Sequence, residues 1–280
     1  MSEAVQDIPV ESIPTPTVVL LHGAWAGSWV WDLLTPALEA AGLTVVRPDL
    51  PGGGDRGASS RITLSDMVDH VLEEITHVNG PLVVIGHSGG GVVATSVAER
   101  LCHEPDPRIR GLGFVAGMMM PSGMNFGVLC DTAELVAPVG ISAFTAPTAD
   151  GLGTEVSPEA AASVFFHNAA PDLAIPASRR MVSQQESARL IAPEWTEAGA
   201  GSLPRLYVEA TEDRSVPLAA QRTMQQLWPG ARVVTLESDH APQLSRADDL
   251  ASIVIEWVLN HVSLTYTQAE PASAGATLEA

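Results

Sequence analysis

The chain has 280 residues, of which 46% are hydrophobic, and its formal net charge is -19. This length allows one large domain or one domain with an insertion. Nucleic acid binding needs a basic surface, which so acidic a chain does not provide. All basic residues are arginine, which excludes lysine Schiff-base chemistry and Walker-type phosphate loops.

The sequence also carries signals of the cellular compartment and of cysteine chemistry. The N-terminal stretch MSEAVQDIPVESIP carries acids and no basic region, so we expect no secretory signal and a cytoplasmic protein. No apolar run approaches the about 18 residues of a membrane span. Cys102 and Cys130 have neither metal-ligand nor CxxC spacing. We therefore expect two reduced thiols and no metal site.

Short apolar runs alternate with amphipathic helical patterns, for example at 31–41, 63–78 and 217–227. The runs are rich in Val, Ile and Leu and bounded by Gly or Pro, which is typical of strands buried on both faces. The alternation predicts an α/β fold with a mostly parallel six-stranded sheet, helices on both faces and ligands at the carboxyl ends of the strands. The predicted strands are Thr17–Gly23, Leu43–Leu50, Pro81–His87, Ile109–Gly117, Pro204–Thr211 and Ala231–Glu237.

One long interval interrupts this alternation. No clear strand pattern occurs from about Met118 to Gly201, and this interval is too long for a simple loop. We expect an inserted helical cap at 118–201, between two parts of the core at 1–117 and 202–262. The polar, Pro-containing residues 263–280 are expected to form a disordered tail.

The motif Gly86-His87-Ser88-Gly89-Gly90 lies between a predicted strand and a predicted helix. It matches G-x-S-x-G, in which the serine occupies a sharp, strained turn. Gly86 and Gly90 are needed because side chains there would collide with the neighbouring strand and helix. The helix N-terminus adds free N–H groups and a partial positive charge. We therefore predict that Ser88 is a nucleophile.

A serine hydroxyl needs a base to remove its proton. His240 follows the last predicted strand, and Asp213 follows the strand before it. The order Ser88, Asp213, His240 is that of hydrolases whose nucleophile lies on a strand-to-helix turn. Asp213 is preferred because it lies in a turn just before a predicted helix. The competing acids are Glu209, Glu212 and Asp239.

Two backbone N–H groups are candidate donors to a reaction oxyanion. One belongs to Gly89, which follows the nucleophile, and the other to Ala24, in the loop after the first strand. We expect the side chain of His87 to point away from the nucleophile. His167, in the cap, is a further candidate for the pocket.

The start of the cap is flexible and apolar, which suggests a hydrophobic acyl or alkyl group in the substrate. The alternative is that its methionines pack the cap onto the core. We take Trp25, Met119 and Phe165 as candidate substrate-binding residues. The apolar residues at the start of the cap are Met118, Met119, Met120, Met124 and Phe126.

Three stretches carry a family resemblance: VVLLHGAWAGSWVWDLLTPALEAAGLTVVRPDLPGGG, VVIGHSGGGVVA and ESDHAPQLSRADDLASI. They resemble the α/β-hydrolase superfamily, and more narrowly its branch of plant-type methyl esterases, hydroxynitrile lyases and related bacterial esterases. The resemblance covers roughly 17–117 and 204–261. It implies a triad of Ser88, Asp213 and His240, with oxyanion donors at Ala24 and Gly89.

The resemblance also implies hydrolysis of a carboxylic ester or a related acyl compound without a cofactor. The plant hydroxynitrile lyases of this branch carry a lysine just after the catalytic histidine. This chain has Ala241 there and no lysine elsewhere, so we do not expect lyase activity.

We therefore expect a serine hydrolase that cleaves an ester of a hydrophobic small molecule through an acyl-enzyme. Its expected partner is a small-molecule ester or lactone, with no nucleic acid or membrane partner. Two alternatives stay open: a lactonase or C–C bond hydrolase of natural-product metabolism with the same triad, and a non-catalytic ligand receptor on the same fold. Fold alone does not choose among them.

Overall fold

A six-stranded sheet forms the centre of the protein, in a computed structural model that describes residues 15–54 and 61–262. Its strand order is β2-β1-β3-β4-β8-β9, and every neighbouring pair is parallel. The predicted parallel sheet is confirmed, and each of its strands lies within a predicted run. The strands are β1 (Thr17–Leu21), β2 (Thr44–Val46), β3 (Leu82–His87), β4 (Ile109–Val115), β5 (Thr145–Pro147), β6 (Gly153–Val156), β7 (Gln184–Gln185), β8 (Arg205–Ala210) and β9 (Arg232–Leu236).

Helices cover both faces of this sheet. The α-helices are α1 (Thr35–Ala40), α2 (Leu64–Glu74), α3 (Gly90–Cys102), α4 (Phe126–Thr132), α5 (Pro158–Val164), α6 (Pro171–Arg179), α7 (Glu186–Arg189), α8 (Leu218–Leu227), α9 (Pro242–Ser245) and α10 (Ala247–Trp257). Short 3₁₀ helices occupy Ser28–Trp31, Gly140–Phe144 and Ala200–Ser202, and a π-helical turn occupies Val258–Val262.

Two hydrophobic cores result from the alternation of side chains along the strands. In β1, Val18 and Leu20 pack into the core that includes α1 and α10. Val19 and Leu21 pack into the other core, which includes α2, α3 and α8. The central strands β1, β3, β4 and β8 are buried on both faces, whereas the edge strands β2 and β9 are partly exposed. Burial on both faces favours apolar residues at consecutive positions, which is why the central strands could be recognised in the sequence.

The segment between β4 and β8 contains helices, as expected for a cap, and also a small sheet that the sequence did not indicate. This sheet is antiparallel, in the order β5-β6-β7. Its strands have two to four residues and lack the apolar run by which a strand is recognised. A bridge between Gly53 and Gln184 connects this sheet to the loop after β2.

Several expectations concern residues outside the described ranges. The expectation of no secretory signal in the N-terminal stretch and the expectation of a disordered tail at 263–280 are among them. The domain boundaries at 117/118 and 201/202 stay a prediction. Within the described ranges, we find no helix of the length and apolar character that crossing a bilayer requires.

Candidate active site

Ser88 occupies a tight turn between β3 and α3. Its backbone has a φ of 51°, a left-handed conformation that is costly for a residue with a side chain. The turn closes tightly on its neighbours. A Cβ on Gly86 would lie 2.5 Å from the carbonyl carbon of Gly90, and one on Gly90 would lie 2.5 Å from the carbonyl oxygen of His22. The expected strained turn, with glycine at these two positions, is thus the geometry observed.

The carbonyl oxygen of Ser88 stabilises this turn by accepting two hydrogen bonds. The carbonyl oxygen of Ser88 accepts from the N–H groups of Gly91, at 3.0 Å, and Met118, at 2.9 Å. The second bond connects the serine to the segment that follows β4. The Ser88 residue is only 9% exposed, and it lines two cavities.

His240 and Asp213 form a buried pair at the ends of β9 and β8. The Nδ1 atom of His240 lies 2.8 Å from Oδ2 of Asp213, and both side chains are almost completely buried. The other oxygen, Oδ1, accepts from the backbone N–H groups of Ser215, at 2.7 Å, and Val216, at 2.9 Å. These two bonds fix the carboxylate, so the Nδ1 atom of His240 carries the proton and Nε2 is left as an acceptor.

The other acids near these strand ends have different partners. Glu209 accepts from Arg222 and Thr235. Glu212 and Asp239 both bind Asn168 of the inserted segment, Glu212 through the Asn168 side chain and Asp239 through the backbone N–H. Only Asp213 bonds to the His240 ring among the described residues, which favours it over its competitors.

The side chain of His87 contacts His240, a contact that the sequence did not indicate. Its ring lies 4.7 Å from the His240 ring, centroid to centroid, and its Nε2 atom bonds to the carbonyl oxygen of His240 at 2.8 Å. The strained turn at Ser88 places the preceding side chain against the loop after β9. Burial, and secondly the nearby His240, lower the pKa of His87 well below its ordinary value, so this imidazole is neutral.

The N–H groups of Ala24 and Gly89 flank one space beside Ser88. A Cβ on Gly89 would lie 4.0 Å from the Ala24 nitrogen, and neither N–H donates a hydrogen bond within the described residues. His22 fixes the loop that carries Ala24: its Nε2 accepts from Leu50 N at 2.9 Å, and its Nδ1 donates to Gly23 O at 2.8 Å.

Two of the three candidate substrate-binding residues lie together near this site. The Trp25 and Phe165 rings stack with centroids 6.4 Å apart, and Phe165 lies 5.2 Å from the His240 ring. Met119 is instead fully buried in the core beneath α3. Its neighbour Met118 lines two cavities at the site. A run of methionines does not indicate which of them faces the core.

Three cavities adjoin the described site. A large one, of about 510 Å³, is lined by Trp25, Met118, Phe126 and the loop at 135–142. A second, of about 50 Å³, is bounded by Ser88, Met118 and Gln184. A third, of about 20 Å³, has both Ser88 and His240 in its wall. Met118 and Arg189 line the first two, so these adjoin one another.

The arrangement has the parts that acyl transfer needs. A buried imidazole oriented by a carboxylate can act as a general base, and the serine on the strained turn lines the same small cavity as this imidazole. Two N–H groups beside the serine can bind a negatively charged oxygen. The geometry thus combines a potential nucleophile, base and oxyanion site.

Comparison with known proteins decides the family. Residues 18–253 match the alpha/beta hydrolase family. The chain belongs to this family. A relative named pyrethroid hydrolase, from Sphingobium wenxiniae, is 29% identical over 248 residues, which make up 86% of each chain. Methylesterase 17 of Arabidopsis thaliana is 26% identical over 274 residues, 91% of this chain and 97% of that one.

A solved structure agrees with these relatives. The crystal structure of a pyrethroid hydrolase from Sphingobium faniae matches with a TM-score of 0.75 and 27% identity, over 88% of this chain and 98% of that one. The resemblance to α/β-hydrolases of the methyl esterase branch is confirmed, and so is the predicted class of enzyme, an esterase-type hydrolase.

This α/β-hydrolase has site residues that sequence reasoning missed. Gln184 accepts from the Trp25 N–H at 3.2 Å and donates to the Gly52 carbonyl at 3.1 Å. The guanidinium of Arg189 lies 5.6 Å from the Trp25 ring centroid. Both belong to the short elements at the end of the inserted segment, where no motif marks them.

Proposed function

We propose that this α/β-hydrolase cleaves a carboxylic ester of a hydrophobic small molecule through an acyl-enzyme on Ser88. The observation that carries the proposal is the buried bond of 2.8 Å between His240 Nδ1 and Asp213 Oδ2, since His240 lines one small cavity together with Ser88. Such a pair orients the imidazole and stabilises its charged form.

Acylation uses His240 as base and then as acid. As the Ser88 Oγ attacks the ester carbonyl, its proton moves to His240 Nε2. The tetrahedral oxyanion accepts hydrogen bonds from Ala24 N–H and Gly89 N–H, each worth about 3 kcal/mol to the transition state. The C–O bond to the alcohol then breaks, and His240 gives its proton to the leaving alcohol.

Deacylation repeats these roles with water. A water molecule transfers a proton to His240 Nε2 as its oxygen attacks the acyl carbon. The bond to Ser88 Oγ breaks, and Oγ regains the proton from His240. The products are a carboxylic acid and free enzyme.

The large cavity supports a hydrophobic substrate. Its volume of about 510 Å³ lies in the range of small-molecule sites, about 300–1,000 Å³. Trp25, Met118 and Phe126 contribute apolar surface to its wall. Relatives named pyrethroid hydrolase and methylesterase agree with an ester as the substrate.

A mass measurement tests the nucleophile. The purified protein is incubated with a serine-directed phosphonate and its intact mass is recorded, with Ser88→Ala as the variant and Ser96→Ala, a serine of α3 that bonds to the Val92 carbonyl, as the matched control. We expect one adduct on the wild type and on Ser96→Ala, and none on Ser88→Ala.

An ester and lactone screen follows on the same three proteins. Turnover that disappears in Ser88→Ala supports the proposal, and the relative rates assign ester or lactone as substrate. A folded wild type without adduct or turnover contradicts it and favours a ligand receptor on this fold.

A further inference from the structure

The smallest of the three cavities lies between the proposed nucleophile and the proposed base. Ser88, His240, His87 and Gln243 contribute to its wall, and its other lining residues are apolar. Its volume of about 20 Å³ is close to what one water molecule requires, about 10–15 Å³ on this measure. The cavity is therefore large enough for one water molecule and too small for a substrate fragment.

Gln243 makes this cavity unusual. Its side chain is 0% exposed, and neither its amide oxygen nor its amide nitrogen has a hydrogen-bond partner among the described residues. Buried amides that lack partners are costly, and nearly all in folded proteins bond to protein or to ordered water. A small hydrogen-bonding molecule beside Gln243 would remove this cost.

His87 supplies a second polar atom without a partner. Its Nε2 donates to the His240 carbonyl, which leaves Nδ1 as an acceptor on the neutral ring. Nδ1 is buried and has no partner within the described part of the chain. The cavity wall thus contains one residue that can donate and one that can only accept.

We propose that Gln243 and His87 hold a water molecule in this cavity, and that this water is the nucleophile that hydrolyses the acyl-enzyme. The inference rests on the proposed function. Gln243 Nε2 donates to the water oxygen, and one water O–H donates to His87 Nδ1. The second O–H donates to His240 Nε2, the base of the reaction, and a lone pair on oxygen stays free for attack.

The chemical step is balanced within this set of residues. The water oxygen forms a bond to the acyl carbon, and its proton passes to His240 Nε2. The bond between the acyl carbon and Ser88 Oγ breaks, and Oγ takes the proton from His240. Gln243 and His87 exchange no proton, so they are positioning residues.

The test separates the two halves of the reaction. Gln243→Met keeps the length of the side chain and removes its polar atoms, and Gln226→Met makes the same change at an exposed position of α8. Release of p-nitrophenol from a p-nitrophenyl ester is followed by stopped flow to obtain the acylation rate. Mass spectrometry of quenched samples gives the fraction of acyl-enzyme in the steady state.

We expect the deacylation rate of Gln243→Met to be about tenfold lower than that of the wild type, because the variant lacks one hydrogen bond to the water. Its acylation rate should stay within about twofold of the wild-type rate. Acyl-enzyme should therefore accumulate in this variant and not in Gln226→Met. His240 acts in both steps, so a merely structural disturbance of His240 would slow both equally. Equal slowing, or slower acylation alone, overturns the proposal.

A crystal structure of the wild type gives an independent readout if Gln243→Met folds poorly. We expect one ordered water within hydrogen-bond distance of the Gln243 amide and His87 Nδ1, and an empty cavity overturns the proposal. A wild type that forms no acyl-enzyme on Ser88 overturns the proposed function as well. Normal turnover with unchanged deacylation in Gln243→Met overturns only this inference.

Discussion

Asn168 of the inserted segment donates its backbone N–H to Oδ2 of Asp239 at 2.8 Å, and Asp239 immediately precedes His240. The other oxygen of this carboxylate, Oδ1, accepts from Ala241 N at 3.1 Å and from Ser245 Oγ at 2.8 Å. One fully buried carboxylate therefore connects the inserted segment to both sides of the loop that carries His240.

Asp239→Asn should weaken this connection, because both carboxylate oxygens accept from backbone N–H groups. An amide has only one oxygen, so its NH₂ group would face one of these N–H donors. We expect the free energy of unfolding to fall by about 1–3 kcal/mol and kcat to fall with it as the His240 loop loosens. Urea unfolding and ester turnover measure both. Asn168→Ala removes only the side-chain bond to Glu212, so a larger loss there would contradict this account.

Asp213→Asn should remove most activity with little change in fold. The N–H groups of Ser215 and Val216 both donate to Oδ1, so the amide oxygen must take that place and the NH₂ group must face His240 Nδ1. The imidazole proton then moves to Nε2, which can no longer accept a proton from Ser88. We expect kcat to fall by about 10⁴.

Turnover and circular dichroism of Asp213→Asn check this prediction. The matched control is Glu209→Gln, which alters another buried acid of β8 that bonds to Arg222 and not to His240. It should retain most of the wild-type kcat. Comparable activity in the two variants would contradict a role for Asp213 in orienting His240.

The core of this fold could be predicted because its signals are local. Runs of Val, Leu and Ile identify strands buried on both faces, and the spacing of Gly86, Ser88 and Gly90 identifies the turn between β3 and α3. Asp213 and His240 could be paired because each follows a strand, and the carboxyl ends of parallel strands meet at one edge.

The inserted segment could not be predicted in the same way. Its strands β5, β6 and β7 are too short to show an alternation, and its site residues depend on contacts between distant parts of the chain. The bond from Trp25 N to Gln184 spans 159 positions. The burial of Met119 and the cavity position of Met118 likewise depend on how the segment after β4 crosses α3.

Two glycines of the turn should differ sharply in their tolerance of a methyl group. Gly86→Ala would place a Cβ 2.5 Å from the Gly90 carbonyl carbon, and the backbone would have to shift. Gly89→Ala meets only the Ala24 nitrogen at 4.0 Å, and its φ of -57° suits any residue.

We expect Gly86→Ala to lose several kcal/mol of stability, on the order of 3 kcal/mol or more, and Gly89→Ala to change by about 1 kcal/mol or less. Thermal unfolding of the two variants measures this difference. A stable Gly86→Ala protein that still reacts with the phosphonate would show that the turn is less constrained than described.

The buried, neutral His87 should make the protein sensitive to acid. Its pKa in the fold lies well below the ordinary value of 6.5, so at lower pH the unfolded chain binds a proton that the folded chain does not. Stability is therefore lost as the pH falls through the unfolded-state pKa. The free energy of unfolding should therefore be lower at about pH 5 than at about pH 7.

His87→Gln keeps an amide N–H for the His240 carbonyl and removes the titrating ring. Urea unfolding at the two pH values should show a smaller loss for this variant than for the wild type. The control is His103→Gln, whose side chain is 60% exposed and which should keep the wild-type pH dependence. Equal pH dependence of all three proteins would contradict the role of His87.

The size of ester that the enzyme accepts should depend on the side chains that α4 contributes to the large cavity. Cys130 lines the cavity of about 510 Å³ and is buried, whereas Val128 of the same helix is 48% exposed. Cys130→Phe should fill part of the cavity and leave the reacting groups in place. We expect kcat/KM for the bulkiest esters to fall about tenfold or more relative to the smallest, in keeping with what pocket size contributes to specificity.

Two ester series measure this effect, one with growing acyl groups and one with growing alcohol groups. The series whose larger members lose turnover in Cys130→Phe identifies the part of the substrate that occupies the cavity, because only that part meets the new ring. Val128→Phe adds the same ring on the exposed side of α4 and should leave both series unchanged. A uniform loss across all esters in Cys130→Phe would indicate that the substitution disturbs Ser88 or His240 rather than the cavity.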